Sequence, residues 1–183
     1  MRKTIYFATT SRGKLNETRK LLGIDIQGCG LEIDEIQSLD PETVASKKAA
    51  SYFKELKKPI LVEDVSLTFE ALKSLPGTYV NDFFKVLGNQ GLVDLLGNTS
   101  NRKAVAQTTL VFIDDEGKPQ IFIGITEGEI ASAPKGSNGF GWDPIFIPNG
   151  ETRTFAEMSE REKAKFSMRA KALAKFKIWL EGK

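Results

Sequence analysis

"TIYFATTSRGKLNETRKLL", from Thr4 to Leu22, joins a short β-branched and aromatic run to an amphipathic one through a polar, glycine-containing turn. Thr4 to Thr9 reads as a buried strand, because the run is short and closes at once on TSRG. The period then changes. Leu15, Thr18, Leu21 and Leu22 fall near one helical face from Lys14 to Leu22, charged residues take the remainder, and Gly23 offers a stop. Strand, loop and helix in that order open an α/β fold.

The rest of the chain extends the same pattern. Leu31 to Ile36 is a second strand candidate, and a helix beginning at or near Pro41 continues through Val44, Ala45, Ala49, Tyr52, Phe53 and Leu56 until Pro59 forbids it. LVEDVSLTFEAL, Leu61 to Leu72, then supplies a short strand that runs out at a carboxylate pair, Glu63 and Asp64. LPGT at Leu75 to Thr78 is a turn, and NDFFKVLG and NQGLVDLLG fit two short helices. Lys103 to Asp114 and Gln120 to Ile130 read as long strands joined by DDEGKP, which has hairpin chemistry. Pro134 to Pro148 is an ordered loop with Gly136, Gly139 and Gly141. Ser159 and Glu162 form a capping box for a C-terminal helix that keeps Phe166, Ala170, Leu173, Phe176 and Leu180 in phase, with Ser167 as a second possible cap. With no repeat or linker, residues 1–183 are expected to form one α/β domain built on a mixed sheet flanked by helices.

Composition removes several chemistries. Lys and Arg total 26 against 24 Asp and Glu, a net charge of +2 that gives no general attraction to nucleic acid or an anionic membrane. The chain has no His, so imidazole is absent as base or ligand, and its one cysteine, Cys29, leaves no disulfide framework or cysteine zinc site. The start, MRKTIYFATTSRGK, has too short an apolar run for a secretory signal, and nothing later approaches about 18 consecutive apolar residues. A cytoplasmic location is the expectation, with chemistry carried by carboxylates, Lys, Arg, hydroxyls or an oxygen-held metal.

Four stretches suit such chemistry. Thr9, Thr10 and Ser11 supply hydroxyls and Lys14 a charge where a strand feeds a helix N-terminus, an arrangement that welcomes phosphate. Glu63 and Asp64 would stand at the carboxyl end of the sheet, with Glu35 closing the preceding strand candidate; three carboxylates with water and substrate phosphates are what Mg²⁺ requires. In KGSNGFGWDPIF, Phe140 and Trp142 offer flat faces for a planar ring, Gly141 a tight turn, and Asp143 a polar edge. Lys163 and Arg169 flank the apolar stripe of the last helix near its start, where cations oppose the dipole and an anionic ligand would justify them. Met168 falls on the opposite side of a continuous helix.

Taken in order, FATTSRGKLNE, DEIQS, VEDVSLTFEALKSLPGTY, NRKAVAQTTLVF, KGSNGFGWDPIFIP and TFAEMSEREKAKFSMRAKAL resemble the inosine triphosphate pyrophosphatase family, from the first strand to the last helix. That resemblance implies an elongated mixed β-sheet with two lobes around a central nucleotide cleft. It also implies a homodimer and Mg²⁺-dependent hydrolysis of ITP, dITP or XTP to monophosphate and pyrophosphate. Carried over by position, the phosphate loop is Thr9 to Lys14, the metal carboxylates Glu35 and Glu63 with Asp64 as general base beside them, and the base loop Phe140, Gly141, Trp142 and Asp143. Lys163, Met168 and Arg169 complete the implied substrate contacts. Three stretches depart from the family pattern: Thr10 and Ser11 replace its usual Gly and Asn, Val65 a serine, and Met168 a base-reading His. Val65 and Met168 motivate one alternative, a nucleotide-binding protein without turnover; a related-fold pyrophosphatase with altered base preference, acting on modified pyrimidines, is the other.

Overall fold

The computed structural model describes residues 4–183, so Arg2 and Lys3 lie outside the described residues. The opening stretch forms β1 (Ile5–Ala8) and α1 (Arg12–Leu22), with Gly23 in the left-handed conformation at φ 68° closing the helix. β2 (Ile26–Cys29), α2 (Pro41–Leu56), β3 (Ile60–Phe69), β4 (Pro76–Gly77) and α3 (Val80–Asp94) follow. β5 (Lys103–Ile113) and β6 (Pro119–Ile130) form the long hairpin, and β7 (Phe146–Pro148), α4 (Glu160–Lys163) and α5 (Met168–Glu181) complete the chain. The strands make one sheet in the order β2-β1-β3-β5-β6-β7, with β4 added to β3. β2, β1 and β3 are mutually parallel and the remaining pairings antiparallel, so the sheet is mixed as expected.

Its two faces bury different helices. Leu61, Leu110 and Phe112 pack with Leu22, Leu173 and Phe176 under α1 and α5, whereas Val62, Val111 and Ile113 pack with Ala45, Ala49 and Tyr52 of α2. Each fully buried leucine, valine or phenylalanine among these contributes about 1.5–3 kcal/mol. α5 approaches β6 so closely that a Cβ at Gly124 would stand 1.9 Å from the Met168 carbonyl oxygen.

Three expectations are corrected. Leu31 to Ile36 is not a strand; the ladder beside β1 uses Ile26 to Cys29. Leu31 and Ile33 pack against the α2 cluster, and the Leu31 N–H and carbonyl are satisfied by the Tyr52 hydroxyl at 3.3 Å each. Their alternation is a burial pattern without a ladder. Glu63 and Asp64 do not lie past a short strand but inside a ten-residue one, opposite Leu110 and Thr109. The last helix breaks where Ser167 accepts from the Ala170 N–H and starts α5. Gly88, with φ 66° and ψ −175°, likewise splits α3 into the two short helices expected there.

Candidate active site

The site exists because β3 outruns its neighbour. On the side away from β5 it pairs with β1 at Ile60 and Leu61 and with β4 at Leu67 and Thr68, leaving Val62 to Ser66 without a strand partner there among the described residues. A cavity of about 490 Å³ opens at that gap, lined in part by Lys14, Glu35, Lys48, Glu63, Asp64 and Lys85. The N-terminus of α1 reaches the same place. Ser11 caps it by accepting from the Lys14 N–H, and Thr9 in turn accepts from the Ser11 N–H at 3.0 Å. Thr10 stands exposed beside them.

Successive strand residues face opposite ways, so the adjacent carboxylates acquire different surroundings. Glu63 is 5% exposed and meets Arg169 through a two-pronged contact, Nε to Oε2 at 2.6 Å and Nη2 to Oε1 at 2.9 Å. Lys14 adds a third contact at 3.1 Å, and Glu17 takes the remaining guanidinium nitrogen. Burial alone would raise the Glu63 pKa, but the charges of Arg169 and Lys14 outweigh it and hold the group at about 2. Arg169, despite burial that opposes its charge, is held above its ordinary range by Glu63 and Glu17.

Asp64 faces α2. Its Oδ2 is buried with no hydrogen-bond partner. Burial pushes its pKa up to about 7; Lys48 pulls against that rise, and the Glu35 charge adds to it. Lys48 and Glu35 are themselves paired at 2.6 Å. A carboxylate so placed exchanges protons near neutral pH, which suits a general base.

A second cavity, about 420 Å³, lies between α1 and α4, with Gly13, Glu17, Phe140, Phe155, Met158 and Lys163 in its lining. Phe140 is 38% exposed, and its ring lies 4.9 Å from Lys163 Nζ and 5.1 Å from the Arg169 guanidinium carbon. Asp143, expected at a ligand's polar edge, is instead buried: it accepts from the Phe140 N–H at 2.8 Å and holds Lys163 at 2.6 Å. Gly139 permits this, since at φ 74° its absent Cβ would fall 2.0 Å from Asp143 Oδ2. Gly141 turns the chain at φ 64°. Trp142 is a core residue set edge-on to Phe146, so of the two aromatics Phe140 presents the accessible face. Val65 and Met168 are both buried in the cluster that holds Trp142.

The structure therefore brings Lys14, Glu35, Glu63 and Asp64 to one cavity and Phe140 with Lys163 to the other; Arg169 spans the wall between them through Glu63 and Glu17. Sequence reasoning missed Lys48 and Glu17. Lys48 follows Val44 by one helical turn, which places it beside the buried stripe of α2 and was the available signal; Glu17 had none. Among the described residues no three acidic, His or Cys side chains converge as a ready metal cluster. The orphaned Asp64 oxygen, with carboxylates of Glu35 and Glu63 in the same cavity, nevertheless fits a hard divalent cation that takes few protein oxygens.

Residues 5–179 match the model of the Ham1 family. A dITP/XTP pyrophosphatase of Methanopyrus kandleri is 40% identical over 178 residues, covering 96% of this chain and 95% of its own. An inosine triphosphate pyrophosphatase of Aspergillus fumigatus is 43% identical over 178 residues, with 96% and 93% coverage. The solved structure of a HAM1 protein from Coxiella burnetii superposes with a TM-score of 0.87 at 29% identity, over 99% of this chain and 100% of that one.

Proposed function

The chain belongs to the Ham1 family, and from that premise we propose that it hydrolyses the non-canonical purine nucleoside triphosphates ITP, dITP and XTP to monophosphate and pyrophosphate. The observation that carries the reading is Asp64: a half-buried carboxylate whose Oδ2 is buried without a partner, with a pKa of about 7, lining a polar cavity together with Lys14 and Lys48.

Lys14, the α1 N-terminus with Thr9, Thr10 and Ser11, and Lys48 receive the triphosphate. Asp64 orients a water and accepts its proton through Oδ2 as the oxygen attacks the α-phosphorus. The bond from that phosphorus to the bridging oxygen breaks, and pyrophosphate carries away the electron pair. Glu35 and Glu63, with Asp64 beside them, are the carboxylates that would hold Mg²⁺, whose chemistry there is neutralisation of phosphate charge. Phe140 stacks on the purine, and Arg169, buried and fixed by Glu63 and Glu17, backs the Phe140 ring from the wall between the two cavities. Lys163 is held in place by Asp143, while Trp142 and Gly141 shape the loop. Val65 and Met168 make the neighbouring wall apolar, so base preference is read from the substrate panel. The family resemblance also supports a cytoplasmic homodimer in which residues 1–183 form one two-lobed domain, acting on a small nucleotide rather than on nucleic acid or membrane.

Pyrophosphate release is measured from ITP, XTP and ATP with Mg²⁺. Release from ITP or XTP in preference to ATP is expected; no release from any triphosphate refutes the proposal.

A further inference from the structure

α3 is hinged. At Gly88, φ 66° and ψ −175° interrupt the helix, and a Cβ built there would meet nothing within 4 Å. Beyond the hinge, Asn89 Nδ2 donates to the Gly141 carbonyl at 3.0 Å and Leu92 and Val93 are buried, so that half is fixed to the body. Before it, Val80 is buried and Phe83 and Phe84 pack in part, but Val86 is 83% exposed and Leu87 41%. The half-helix from Val80 to Leu87 is thus held along one side only and joined to a fixed half by a glycine in open space.

That half-helix contributes Asn81, Asp82, Phe84 and Lys85 to the cavity that also holds Lys14, Lys48 and Asp64. The other two lysines are engaged, Lys14 with Glu63 at 3.1 Å and Lys48 with Glu35 at 2.6 Å. Lys85 is 72% exposed in its side chain and meets Asp82 of its own helix at 3.4 Å, a contact of the kind that restrains a lysine weakly. A flexible ammonium at the rim of a polar cavity is suited to a ligand's most distal, most highly charged phosphate.

We infer that Lys85 is a third phosphate-binding cation, which the first half of α3 brings onto the terminal phosphates of the bound triphosphate and which retains pyrophosphate after cleavage. The inference rests on the triphosphate reading above and names the group that grips the distal end of that substrate. No function assigned above uses this residue.

Inorganic pyrophosphate titrated calorimetrically in the presence of Mg²⁺ tests it without requiring turnover. Lys85→Gln is expected to weaken binding about tenfold, the usual consequence of losing one charge-assisted contact. Lys85→Arg should retain binding to within about twofold, and Lys118→Gln, on the distant β5–β6 turn, should bind as the wild type does. Pyrophosphate binding that is equal in wild type and Lys85→Gln, equally weakened by Lys118→Gln, or absent from the wild type overturns the inference. A wild type that binds pyrophosphate through Lys85 yet releases none from any triphosphate overturns the catalytic reading instead.

Discussion

Replacing Glu63 by Gln isolates the charge at the centre of the site while nearly preserving its shape. In the folded chain Glu63 is 5% exposed and accepts two Arg169 contacts at 2.6 and 2.9 Å and one from Lys14 at 3.1 Å. Burial works against its charge, yet the two cations bring its pKa from 4.5 down to about 2, a fall that corresponds to about 3 kcal/mol of stability at neutral pH. Glutamine removes that term and turns an amide N–H toward donors, but Glu17 still pairs with Arg169. A loss of about 3 kcal/mol, the lower end for a broken buried pair, is therefore expected.

The pH dependence makes the reasoning specific. Because the unfolded chain takes up this proton first, the contribution is complete above pH 4.5 and is lost as pH falls through about 2, with less than about half remaining at about pH 3. Urea unfolding of wild type and Glu63→Gln at about pH 7 and about pH 3 should show the gap between them narrowing by more than half. A gap that is absent at neutral pH, or equal at both values, would refute the argument that paired charge outweighs burial here.

Asp64→Asn should lower turnover by roughly 10²- to 10⁴-fold while leaving binding of an uncleaved nucleotide largely intact, because it removes the proton acceptor and keeps the shape. In the wild type kcat/KM, which reports the enzyme before metal and substrate bind, should rise with pH through about 7, where the Asp64 carboxyl loses its proton, and level off above; a flat profile, or an Asn variant at full rate, rejects Asp64 as base. Gly124→Ala would drive a Cβ into the Met168 carbonyl oxygen at 1.9 Å and the Ala172 nitrogen at 2.7 Å, backbone atoms that no rotamer change can move aside. It should cost about 3 kcal/mol and lower the melting temperature by about 6–12 °C, and an unchanged thermal transition would show that α5 shifts freely on the sheet.

Features that depend on near neighbours in the chain were legible in the sequence. The β1-to-α1 unit, the β5–β6 hairpin, the break at Gly88 and the Ser159 capping box all follow from periodicity, turn residues or caps within a few positions. Leu31 and Ile33 alternate like a strand although β2 lies earlier, at Ile26–Cys29, and only the Tyr52 hydroxyl reaching the Leu31 backbone from α2 shows how that residue is satisfied without a ladder. The candidate site was legible as residue types in order: Lys14, Glu35, Glu63, Asp64, Phe140 and Arg169 all line or bound the two cavities or pack against their walls.

What those residues do to one another was not written locally. Glu63 and Asp64 are neighbours of nearly equal chemistry, and the sequence alone determined that a carboxylate pair interrupts an apolar run. The tertiary structure decided that one is held at about 2 and the other raised to about 7. The strand pleat turns Glu63 toward Arg169, 106 residues away, and Asp64 toward α2 with an oxygen left unpaired. A proton affinity is set by burial and by charges a few ångströms distant, and those distances exist only once the sheet has brought remote parts of the chain together.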